Sequence, residues 1–73
     1  MKTEWIDMGE YSEFLINEEY SGLVKPSHND RWYWQAINLF GAKNSVEEAK
    51  AQVEYLAKGW YLLKESKLDY NDK

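Results

Sequence analysis

The chain has 73 residues, 44% of them hydrophobic and 30% charged, with no cysteine and a net charge of −4. That is one domain with no disulfide and no thiolate metal site, too apolar for the disordered class, and without the run of about 18 apolar residues that a membrane span needs. The acidity is uneven: residues 1–30 hold two lysines against seven acids, and residues 31–73 hold seven basic groups against six acids. An acidic half repels phosphates and favours basic partners, so direct binding of DNA or RNA is disfavoured. Acidic surface also keeps a small protein soluble, which is the commoner reason for such a charge. The opening MKTEWIDMGE has no apolar signal region, so a cytoplasmic protein is expected.

Segment 3–8, TEWIDM, reads as an edge strand or a mobile arm over residues 1–9, broken at Gly9. Segment 11–17, YSEFLIN, has strand composition, with Phe14 and Ile16 on one face and Leu15 on the other. Asn17-Glu18-Glu19 suits a turn, since Asn tolerates turn geometry. YSGLVK, 20–25, reads as a second strand, and Pro26 stops it or marks a sheet edge. PSHNDR, 26–31, is a polar loop. In RWYWQAINLF, Trp32, Trp34 and Ala36 share one face at period two, and Tyr33, Gln35 and Ile37 share the other. The reading is one strand ending at Gly41. Ala36 lets a helix approach closely, so the Trp32–Trp34–Ala36 face is expected to carry it and Tyr33 to point away.

The stretch NSVEEAKAQVEYLAKG predicts a helix over 46–58. Ser45 is an N-cap and Glu48, three residues on, completes a capping box. Val46, Ala49, Val53 and Leu56 recur at helical spacing, and Trp60 extends the stripe. Lys50, Glu54 and Lys58 form an i, i+4 ladder expected on the solvent side. Gly59 reads as the residue that closes the helix. WYLLK, 60–64, is then a last strand or a helical extension, and the Gly59 stop favours a strand. Residues 65–73 read as a disordered tail. The expected fold is α+β: a small antiparallel β-sheet with one α-helix packed on one face, in a single domain over residues 1–64.

Chemistry is sparse. His28 is the lone histidine, in a loop beside Ser27 and Asp30, where exposure is the ordinary state. There is no H-x-x-x-H or H-E-x-x-H spacing for zinc. The four glycines stand alone, so no loop cradles a phosphate. Glu47-Glu48 is explained by capping, and Glu18-Glu19 lies in a turn. Neither an enzyme nor a cofactor is expected. Apolar and acidic residues alternate in the N-terminal half: Glu4, Trp5, Ile6, Asp7 and Met8, then Glu18, Glu19 and Tyr20. Trp and Tyr are favoured at protein interfaces, and an acidic rim speeds encounter with a basic partner. These eight residues are the expected protein-binding site, although Trp5 and Ile6 can equally cover one end of the core.

The aromatic strand W-Y-W…A leading to the capped helix S-V-E-E-A-K resembles many very small bacteriophage proteins. The strand–capped helix–strand order over residues 31–60, with the chain length, is similar to small early phage regulators that bind host bacterial RNA polymerase, of the kind found in a Xanthomonas phage. The resemblance implies a non-enzymatic monomer in the host cytoplasm. It would bind the β′ and β subunits, interfere with σ factor and transcription initiation, and act in antitermination. It carries no contact residue over to this sequence. The alternative is an acidic DNA mimic that inhibits a nucleic-acid-binding enzyme such as a CRISPR effector, but acids spread among nine basic residues make a poor duplex.

Overall fold

A computed structural model describes the backbone of residues 1–71 and the side chains of residues 1–64. Five strands follow one another, β1 (Thr3–Asp7), β2 (Ser12–Ile16), β3 (Glu19–Pro26), β4 (Trp32–Ala36) and β5 (Leu39–Lys43), and one helix, α1 (Val46–Asn71), comes last. Each strand is antiparallel to the one before it, and the sheet order equals the chain order. The helix crosses one face, making an α+β fold. Among the described residues no helix is long and apolar enough to cross a membrane.

The turns fix the register. Asn17 and Glu18 both have positive φ, 52 and 69, the left-handed pair of a type I′ turn, whose twist matches that of the flanking strands. Asn17 also ties three elements together. Its N–H donates to the Lys2 carbonyl at 2.7 Å, its Oδ1 accepts from the Lys2 N–H at 3.0 Å, and its side-chain amide donates to the Tyr61 hydroxyl on α1. In β3, Ser21 is an extra residue: Leu15 pairs with Tyr20 and Phe14 with Gly22. This bulge lets Tyr20 face away from the helix while Gly22 and Val24 face it.

The core lies between that face and α1. Phe14, Ile16, Val24, Trp34 and Ala36 from the sheet meet Ala49, Val53 and Ala57 from the helix, all buried. Small residues set the close approach. A Cβ on Gly22 would lie 2.6 Å from both the Gln35 carbonyl oxygen and Val53 Cγ1. The Ser45 cap forms as expected: its Oγ accepts from the Glu48 N–H at 3.2 Å and lies 3.3 Å from the Glu48 carboxylate.

Three expectations from sequence are corrected. First, residues 31–41 are two strands, not one. The chain reverses at Ile37-Asn38, with Ile37 at φ 59. Ala36 then pairs with Leu39, and Gly41 lies under the Trp34 ring, where a Cβ would come within 3.0 Å of it. Second, there is no strand over 60–64. Gly59 costs a helix interior about 1 kcal/mol relative to Ala, which the packing of Tyr61 on the core and the good helix formers after it outweigh. The helix backbone continues through residues 65–71, where a tail was expected, and residues 72–73 lie outside the described residues. Third, the Lys50–Glu54–Lys58 ladder does not face open solvent but flanks β1. Trp5 donates its indole N–H to Glu54 at 2.7 Å, and the Lys50 ammonium sits 5.2 Å from the Trp5 ring centroid. Lys58 pairs with Glu54 at 3.6 Å. Residues 3–7 are thus a paired strand with an anchor, not an arm.

Candidate functional site

The helix covers one face of the sheet and, among the described residues, leaves the other bare. Alternation along each strand decides what that bare face carries. One row crosses all five strands: Ile6, Glu13, Leu23, Gln35 and Phe40. Beside it on one side run Glu4, Leu15 and Tyr20, and on the other Lys25, Tyr33 and Ala42. A sheet with one solvated face ordinarily alternates apolar-in with polar-out. Here the solvated face is itself rich in apolar and aromatic residues, with Phe40 70% and Tyr20 52% exposed. Phe40 stacks on Tyr33 with ring centroids 6.3 Å apart, and Lys25 lies 5.3 Å from the Tyr33 centroid.

The charge on this face is graded. Glu4 and Glu13 lie on β1 and β2, and Lys25 lies on β3. Among the described residues neither Glu4 nor Glu13 has an ion-pair partner. Glu13 is half-buried between Ile6 and Leu23. The Tyr20 phenol is raised above its ordinary pKa, by partial burial first, then by the Glu13 carboxylate, with Tyr33 and Tyr11 adding.

The bare face continues into a groove of ≈ 510 Å³ at the end of the sheet that holds the two hairpin turns. Tyr20 joins the two. The groove is walled by Ile16, Ile37, Ala57, Trp60 and Tyr61, with Glu19, Ser21 and Lys64 at its rim. It forms because α1, at 26 residues, is about 39 Å long, whereas strands of five residues span about 17 Å. Its second half therefore overhangs the sheet.

The residues expected from sequence fall in four places. Glu4, Ile6 and Tyr20 lie together on the bare face. Trp5 turns to the helix side and packs on Phe14 at 4.9 Å between centroids. Asp7 and Met8 lie at the far end, where the Asp7 carboxylate accepts from the Gly9 N–H at 2.9 Å. Glu18 and Glu19 lie at the groove end, with Glu18 3.9 Å from Lys2 in an exposed pair. Glu13, Leu23 and Phe40 were not named from sequence. For Leu23 the signal was present, since it stands out of phase with Val24. For Phe40 it was not, because the turn before it was unread. His28 is exposed in a single 3-10 turn (His28–Asp30) closed by main-chain bonds. Among the described residues no group of three or more His, Cys, Asp or Glu is placed to hold a metal ion. Comparison with family models, with curated proteins and with solved structures finds no match.

Proposed function

We propose that this protein is a non-catalytic binding module whose bare sheet face docks on a basic protein surface. The observation that carries the reading is the unpaired Glu4 and Glu13 set among Ile6, Leu15, Leu23 and Tyr20. Apolar and aromatic side chains supply affinity at such a face. Uncompensated carboxylates favour a partner bearing Lys or Arg and speed the encounter. The partner we propose is bacterial RNA polymerase, through its β′ and β subunits, with interference at σ factor engagement. That choice rests on the likeness of the aromatic strand and capped helix to small phage regulators. Acids that alternate with Ile6 and Leu15 lack the even spacing of phosphates, so docking on protein is favoured over mimicry of DNA.

The test is binding to purified bacterial core polymerase, followed by fluorescence anisotropy at low and moderate salt. The expected result is binding that weakens with salt and competes with σ. Glu4→Lys with Glu13→Lys is expected to lose about tenfold or more in affinity with an unchanged melting temperature. Glu18→Lys with Glu19→Lys, at the groove end, is expected to lose less. No binding to core polymerase at low salt would remove the polymerase assignment. Binding indifferent to the Glu4 and Glu13 reversals would move the dock off this face.

A further inference from the structure

The two edges of the sheet are built differently. In a two-residue hairpin the closing pair, here Ala36 and Leu39, exchanges both of its hydrogen bonds. The alternation then turns the main-chain groups of Phe40 and Ala42 away from β4. Among the described residues no strand takes them, because the sheet ends at β5. The hydrogen bond that reaches this edge comes from Arg31, whose guanidinium donates to the Ala42 carbonyl at 3.4 Å. Charged side chains are the common guard of an exposed edge. The opposite edge, β1, has Glu4 and Asp7 in its five residues. In β5, Leu-Phe-Gly-Ala-Lys, no charge precedes Lys43, and Leu39 and Phe40 are exposed.

We propose that β5 pairs antiparallel with β5 of a second copy, joining two sheets edge to edge about a twofold axis at Gly41. This takes the place of the monomer expected from sequence. The strand's own sequence selects this occupant. Centred on Gly41, the pairing sets Phe40 against the partner's Ala42, a large side chain against a small one on the bare face. Leu39 meets the aliphatic stem of the partner's Lys43 on the helix face. The Lys43 charges are kept apart, so no like charges stand opposite one another. Phe40 and Ala42, whose groups point outward, are the residues that exchange hydrogen bonds. The Ala42 carbonyl has a second lone pair to accept one while Arg31 holds the first. A five-residue edge buries well under the roughly 800 Å² per partner of a standard interface, so the dimer is a weak, concentration-dependent one. It sets two bare faces side by side, which makes docking bivalent where the target offers two sites.

Sedimentation of the full chain between about 10 μM and 1 mM, the range that a small interface spans, tests this. The expected result is a mass that rises from monomer toward dimer. Hydrogen exchange at the Phe40 and Ala42 amides should slow as concentration rises, while exchange along β1 stays the same. Ala42→Pro removes one outward N–H and leaves the ladder to β4 intact. Phe40→Lys places a charge on the edge. Both are expected to stay monomeric throughout, and Phe40→Lys decides the matter if Ala42→Pro does not fold. A wild-type mass fixed at monomer, a dimer that persists in Phe40→Lys, or protection of these amides only when polymerase is added would each overturn the proposal. The last outcome would give the edge to a strand of the larger partner.

Discussion

The two faces of the sheet use neighbouring residues for opposite ends. In β2, Phe14 is 1% exposed beneath the helix and Leu15, the next residue, is half-exposed on the bare face. In the β4–β5 hairpin, Trp34 closes the core while Phe40 is 70% exposed. Both faces are apolar, so hydrophobicity alone does not separate them. What separates them is the helix: among the described residues, one face has α1 to pack on and the other has nothing. Stability therefore resides on one side of a single layer of backbone, and the other side is left exposed.

The largest test of that division is a matched pair of truncations. Trp34→Ala removes a buried ring and is expected to cost about 3–5 kcal/mol, close to the whole stability of a domain this size. Phe40→Ala removes a ring of comparable class from the bare face and is expected to cost under about 1 kcal/mol. Urea denaturation of both variants measures the contrast. Equal losses would mean that the bare face is part of the stabilising core.

Gly22→Ala comes next. It adds one methyl group on the covered face, against the main-chain Gln35 oxygen and the stiff Val53 side chain, both at 2.6 Å. Neither is the far end of a flexible chain, so the β3–β4 pairing must shift and the helix must lift. Overpacking of this kind costs typically 1–3 kcal/mol, read as a lower urea midpoint. An unchanged midpoint would show that α1 rides more loosely on the sheet than the close approach implies.

Gly59→Ala acts in the other direction and sharpens the contrast between the seated and the overhanging halves of α1. A Cβ at Gly59 meets nothing within 4 Å, so the change is free of packing effects. It is expected to stabilise by about 0.5–1 kcal/mol, with more helical signal by circular dichroism. A loss of helical signal would mean that the glycine serves a bend.

Much of this division was legible in the sequence, and the failures have physical causes. Phe14 and Ile16 share one face of their strand, and Trp34 and Ala36 one face of theirs, because period two has no alternative once a strand is granted; that these are the same face of the sheet, beneath the helix, comes from the fold. The capping box placed the helix start because Ser45 and Glu48 answer a need of the backbone that few other pairs answer. The β4–β5 turn was hidden because Ile37, a β-branched residue at positive φ, is among the least turn-like choices. Reading through it merged two strands and concealed the edge that β5 forms. The end of the helix was misplaced because Gly59 gives the same local signal as a stop and as a tolerated interior glycine. What decides is Tyr61 reaching Asn17, a contact 44 residues away in the chain. The acidic residues were seen as a group by composition, but only the fold shows that Glu4 shares a face with Glu13 while Asp7 and Glu18 lie at opposite ends.

The smallest expected effect probes the bare face directly. Tyr20 sits among Glu13, Tyr33 and Tyr11, and its phenol is raised above the ordinary value by partial burial first and by Glu13 second. A group whose folded pKa lies above its unfolded one contributes stability that is whole below the unfolded pKa, near 10 for tyrosine. That contribution is lost as pH rises through the folded value. Wild type is therefore expected to weaken above about pH 10 more steeply than Tyr20→Phe, which has no phenol to ionise at that position. The ultraviolet titration difference between the two proteins should show the missing tyrosine ionising above the ordinary tyrosine value. Glu13→Gln should lower it part of the way, because burial remains. A Tyr20 component that titrates at the ordinary value would mean that Glu13 and the ring do not share the face in solution, and the acidic, aromatic dock would lose its centre.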